Sequence, residues 1–158
     1  MNEFKIMDLM NDIEYGWVDK YNHKHIDEYD NFDNDYILQS PTDLIKSKLG
    51  VCWDQVELER YYFNQTDYEI KTFFIINSNN TTHTFLIFIN NNKYYWFEHS
   101  FEKYRGIHEY SSLDELLDDV KNKFINFYSN DNIFIYEYDQ PKYNISVKKY
   151  FEHCQKND

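Results

Sequence analysis

The chain has 158 residues, of which 42% are hydrophobic and 20% aromatic, and a net charge of -12. This length supports one domain with its own core, and the composition is too apolar for a disordered chain. The acidic balance repels a phosphate backbone, so nucleic acid is not an expected partner. A basic peptide or an amine substrate is compatible with it, and such a surface also keeps a protein soluble.

The two cysteines, Cys52 and Cys154, do not make a disulfide framework in a chain of this size. The N-terminus lacks a basic region followed by an apolar one, so no signal peptide is expected. No apolar run approaches the roughly 20 residues of a membrane span. A cytoplasmic location, with reduced thiols, is the expectation. Abundant Asn, Lys, Ile and Tyr read as an AT-rich coding genome of bacterial type.

In chain order, Ile6, Leu9, Met10, Ile13 and Trp17 trace one helical face. Residues 19–35 read as loop or short irregular helix. His23 and His25 there are expected to be solvated rather than metal ligands. Ser40-Pro41-Thr42-Asp43 is a helix start, and Gly50 is placed as its end. A second helix is expected from near Cys52 to about Phe63, with weak periodicity that points to burial on several sides. Tyr68–Ile76, Thr82–Ile89 and Lys93–His99 are strands, the second central and the last two a hairpin. Ser112-Leu113-Asp114-Glu115 opens the most regular helix. Asn132–Tyr138 is a further strand, and the tail from Lys148 is expected to be weakly ordered, with Cys154 a bystander in it. The pattern predicts an α+β fold in a single domain over 1–158, its core at about 36–138.

Cys52 falls at the start of a predicted helix, and His83 and Glu98 follow on neighbouring strands. A thiol, an imidazole and a carboxylate are the minimum parts for acyl transfer through a cysteine nucleophile. If Asn90-Asn91 is a two-residue turn, His83 lies opposite Glu98. A three-residue loop sets His83 opposite His99, with Glu98 diagonal to it. Alternation sends His99 to the face away from Glu98. The backbone N–H of Cys52 would serve a developing oxyanion, and Gln39 or Tyr36 could supply a second donor. Trp53 is expected in the core or along the groove. The loop at 101–110, with Arg105 and His108, could contact substrate.

The segment from Ser40-Pro41-Thr42-Asp43 to Gly50-Val51-Cys52-Trp53 resembles the cysteine motif of the transglutaminase-like superfamily, within the papain-like fold. In that family a histidine opens a later strand and an acid ends the next, as His83 and Glu98 do here. Aspartate is usual at the acid position, and Glu98 is one methylene longer. The resemblance implies Cys52 as nucleophile, His83 as base, Glu98 as its orienting acid, and a peptide, protein or amine-containing substrate. It implies no cofactor and no metal, and the chain is too short for the calcium-binding domains of larger relatives. Hydrolysis of an amide or ester is preferred over cross-linking. Two rivals are a zinc site made of Cys52, His83, Glu98 and His99, and a non-catalytic binding protein that keeps the fold.

Overall fold

The computed structural model describes Met1–Lys156. Asn2 caps α1 (Glu3–Met10) by accepting a bond from the Lys5 N–H. The helix stops there, short of the face predicted to run on to Trp17. Ile13 and Trp17 are buried, but from an extended segment. Residues 14–16 run beside residues 48–50: Glu14 N–H bonds Lys48 C=O at 2.9 Å and Gly50 N–H bonds Glu14 C=O at 3.0 Å. Apolar residues at helical spacing were buried here by a strand-like backbone, which no periodicity distinguishes over so few turns.

The polar region contains more order than expected. β1 (Trp17–Val18) pairs with β2 (Lys24–His25), and a short α2 (Phe32–Asp35) follows. His25 stacks on Trp17 and is held between Asp19, at 2.8 Å, and Glu28, at 2.6 Å. Both ring nitrogens are therefore engaged by carboxylates.

α3 (Pro41–Ser47) starts as predicted, with Ser40 Oγ accepting from the Asp43 N–H. Its end is at Lys48, which takes the left-handed conformation (φ 59°), not at Gly50. Gly50 is needed for another reason. A Cβ there would sit 2.8 Å from both Asp54 Cβ and Leu44 Cδ1, so the α3–α4 connection closes only around a residue without a side chain.

α4 (Cys52–Phe63) is buried along Cys52–Arg60, polar residues included. One flank packs with α1 and α3 through Ile6, Met10, Leu44, Leu58 and Phe63. A five-stranded antiparallel sheet lies beneath it, composed of β3 (Glu69–Asn77), β4 (Thr82–Asn90), β5 (Lys93–Glu98), β6 (Gly106–Tyr110) and, later in the chain, β7 (Ile133–Tyr138). The order is β6-β5-β4-β3-β7, so β4 is central. Leu86 and Phe88 point to the α4 side, and Phe85 and Ile87 to the other side. There α5 (Leu113–Tyr128), capped by Ser112, covers them with Leu116 and Val120. β6 falls in the stretch expected to be loop; its half-buried, charge-bearing Gly-Ile-His-Glu-Tyr reads weakly because it is an edge strand.

α6 (Val147–Gln155) corrects the expectation of a loose tail. Ser146 caps it, and Tyr150 stacks on Trp53 with ring centroids 4.7 Å apart. Cys154 is fully buried in the same cluster. The polar residues of this segment are the outer face of an amphipathic helix. The molecule is α+β, as the sequence predicts, and among the described residues no helix is long and apolar enough to cross a membrane.

The close fit at Gly50 yields a first prediction. Gly50→Ala inserts a methyl group where its two neighbours leave no room, and is expected to destabilise the fold by about 1–3 kcal/mol. Urea unfolding would measure it. An unchanged midpoint would mean that the connection relaxes at no cost.

Candidate active site

The Val51-Cys52-Trp53-Asp54 turn opens α4, and Asp54 holds it in place. Its Oδ2 accepts from the Val51 N–H at 3.0 Å, which is half of a capping box. Its Oδ1 accepts from the Tyr36 hydroxyl at 2.7 Å and the Gln39 N–H at 2.9 Å. One buried carboxylate thus joins the 36–39 segment to the helix mouth. Burial pushes its pKa up to about 7 against the pull of these three donors.

His83 is the second residue of β4 and Glu98 the last of β5, so both lie at the same end of the sheet. The hairpin turn is Asn91-Asn92, both with positive φ, which pairs Asn90 with Lys93 and Leu86 with Phe97. The turn falls one residue later than Asn90-Asn91, so partners shift by two residues from that register and by one from the three-residue alternative. Glu98 becomes a same-face diagonal neighbour of His83 rather than its direct opposite. The longer glutamate side chain spans that diagonal, and Oε1 meets His83 Nε2 at 2.6 Å. The same oxygen accepts from Trp96 Nε1 at 3.1 Å, and Oε2 accepts from the Phe101 N–H at 2.9 Å. Phe101 also sets its ring edge against the imidazole, with centroids 5.1 Å apart.

The Cys52 side chain lies close enough to the His83 ring to help stabilise its positive charge. Cys52, His83 and Glu98 are therefore brought together in the predicted order. Burial alone pushes the imidazole toward its neutral form. The Glu98 charge, the bond to Glu98 and the influence of Cys52 outweigh it and hold the His83 pKa up at about 10. An imidazolium and a helix N-terminus both stabilise an anionic sulfur. Cys52 is only 4% exposed.

His99 lies across the sheet from this group. Its Nδ1 meets Gln55 Oε1 at 2.6 Å and its Nε2 meets Asn11 Oδ1 at 3.2 Å. Burial, then the Arg105 charge, push its pKa down to about 4. It does not join Cys52, His83 and Glu98, and among the described residues no three His, Cys, Asp or Glu side chains form a metal-binding group.

The other predicted contacts are placed elsewhere. The Gln39 amide nitrogen donates to Leu49 C=O at 2.7 Å and its oxygen accepts from Ser47 Oγ at 2.7 Å, which braces the α3–α4 connection. Tyr36 gives its hydroxyl proton to Asp54. Trp53 is in the core, its Nε1 bonded to Thr82 Oγ1 at 3.2 Å. Arg105 donates from Nε to His99 C=O at 2.7 Å and so pins the chain after β5. Burial pushes the Cys154 thiol well up.

Two buried acids escaped the sequence reading. Asp54 was legible as an acid in the first turn of a helix. Glu59 was not: it is buried two turns along from Cys52, its Oε1 has no hydrogen-bond partner, and burial followed by the Glu98 charge pushes its pKa well up. A cavity of about 750 Å³ is lined by Asp19, Lys20, Lys24, Gln39 and Lys46 and does not include Cys52 or His83.

No protein-family model matches the chain, and no curated protein matches it either.

The raised His83 pKa makes stability pH-dependent in a defined direction. A folded-state value near 10, against about 6.5 in the unfolded chain, favours folding fully below about 6.5 and is lost as pH rises toward the folded value. The difference in melting temperature between the wild type and His83→Gln is therefore expected to shrink steadily from pH 6.5 to pH 10. A difference that grows over this range would contradict a cationic His83.

Proposed function

We propose that the chain is a small cysteine-nucleophile acyl-transfer enzyme with a transglutaminase-like core. The observation that carries this reading is the His83 ring, held by Glu98 at 2.6 Å and influenced by Cys52 at the start of α4. The order of the three residues along the chain, and their placement on a helix and two adjacent strands, support the same family likeness.

In this reading the Cys52 sulfur attacks the carbonyl carbon of an amide or ester. A carbon–sulfur bond forms and the carbonyl electron pair moves to oxygen. Collapse expels the amine, which takes its proton from His83, and leaves a thioester. Glu98 holds the ring in orientation and stabilises its cation. Water then attacks the thioester, with His83 accepting its proton, and releases the acid. Hydrolysis is preferred to transfer onto an amine because water needs no dedicated second binding site. The substrate class is a peptide, protein or other amide of neutral or basic character, in keeping with the net charge of -12. A cytoplasmic location belongs to the same proposal.

The cover over the sulfur favours a second reading, a non-catalytic binding protein that retains the fold. Cys52 is 4% exposed, and the cavity of about 750 Å³ lies away from it. Thiol reactivity separates the two. Under the catalytic reading, iodoacetamide modifies Cys52 at neutral pH at least ~100-fold faster than Cys154, and His83→Ala or Glu98→Gln removes most of that advantage. Peptide mapping by mass spectrometry would follow both cysteines. Equal, slow modification of the two would leave the binding protein standing.

A further inference from the structure

The cavity of about 750 Å³ is separate from Cys52, His83 and Glu98, and its lining runs against the charge of the chain. Acidic residues outnumber basic ones by 28 to 16 over the sequence, yet three lysines and two aspartates line this cavity. One of those aspartates is already engaged. Asp19 accepts from the Tyr21 N–H at 2.8 Å and the His23 N–H at 2.9 Å, and it meets the His25 ring at 2.8 Å. Asp43, in the first turn of α3, is left to face the three lysines.

The lysines come from two elements that are tied together. Lys20 and Lys24 belong to the β1–β2 hairpin, and Lys46 to the last turn of α3. The Lys20 N–H bonds Asp35 C=O at 2.8 Å, and Lys24 Nζ donates to Ser47 C=O, at the end of α3, at 2.9 Å. The cavity is therefore held open by hydrogen bonds across its walls. All three ammonium groups keep donors to spare. Lys24 uses one of its three protons on Ser47. The pair of Lys20 with Asp35, at 3.6 Å, is solvated and weak. Lys46 makes no bond or ion pair among the described residues. Asn22 and Asn144, both with left-handed backbones (φ 67° and 62°), line the same cavity, and their side-chain amides take no hydrogen bond there. Like charges gathered around one hollow repel each other, and an anion between them relieves that repulsion.

We propose that this cavity is a binding site for a small organic anion, a molecule with a phosphate or carboxylate group on an apolar body. The lysines take the anionic oxygens, and the Asn22 and Asn144 amides add neutral donors. Val18 and Ile37 line the same cavity and offer apolar surface to the rest of the molecule. A volume of about 750 Å³ falls within the range of small-molecule sites and exceeds what a bare inorganic ion fills. The site does not depend on the chemistry of Cys52.

Isothermal titration of the full chain, at neutral pH and constant ionic strength, tests it with four probes. Phenyl phosphate and phenylacetate carry both a charge and an apolar body. Inorganic phosphate carries the charge alone, and benzyl alcohol the body alone. Saturable binding of phenyl phosphate or phenylacetate is expected, at least ~10-fold tighter than that of either partial probe, and the tighter of the two identifies the anionic group. Lys46→Ala and Lys20→Ala are each expected to weaken it about tenfold. Both side chains are exposed, and an unchanged melting temperature would show that the variants fold. Absence of saturable binding by both aromatic anions would overturn the site. So would binding that both lysine variants keep at wild-type strength, because the anion would then sit elsewhere. Inorganic phosphate binding as tightly as the aromatic anions would overturn the organic ligand.

Discussion

The arrangement around Cys52 depends on one buried carboxylate. Asp54 takes bonds from Val51, Gln39 and Tyr36, three donors from two separate stretches of chain. A helix start has unsatisfied N–H groups, and in a solvated helix water would fill them. Here the start is buried, so a side chain must do it. By accepting from the Val51 N–H, Asp54 fixes the first turn of the helix on which Cys52 sits. Gly50 is the steric counterpart, because only a residue without a Cβ lets Asp54 and Leu44 come so close to the connection.

Polar burial extends along the whole of α4. Glu57 and Arg60 pair at 3.0 Å, and Arg60 also reaches Thr72 Oγ1 at 2.8 Å. Gln55 links Gly50 to His99. A helix with this many charged residues would normally present them to water. Covered instead by α1, α3, α6 and the sheet, it can hold its place only in one register, because any slip breaks several buried bonds at once. That rigidity sets the first residue of the helix against a histidine on the sheet.

Much of the fold was legible in local chemistry. Ser40, Ser112 and the residue pattern from Cys52 to Phe63 marked helix starts that the structure reproduces. The identity and order of β3, β4 and β5 followed from β-branched and aromatic runs between asparagine clusters. The hairpin register did not. With three asparagines in a row at 90–92, each able to take φ > 0, the sequence could not say which two form the turn. The pairing of His83 with Glu98 survived the shift because the structure's register displaces it by two residues from the direct-opposite reading, which keeps both side chains on one face. Elements on the periphery were harder. Ile13 and Trp17 mimicked a helical stripe, β6 lacked the alternation of a covered strand, and the buried side of α6 was too narrow to stand out in a lysine-rich stretch. The pairing between residues 14–16 and 48–50 carried no signal at all, since no local pattern announces it.

The packing of Trp53 against Tyr150, face to face, and Phe151, edge to face, has a consequence for biosynthesis. The residue next to Cys52 already has Phe32 and Tyr36 as neighbours, but gains these two only when residues 147–155 have left the ribosome. A nascent chain that has completed the sheet still lacks the α6 side of this cluster, so one flank of the indole is open. The surroundings of the sulfur therefore close only when α6 docks, and the polypeptide is chemically softer before that step than after it.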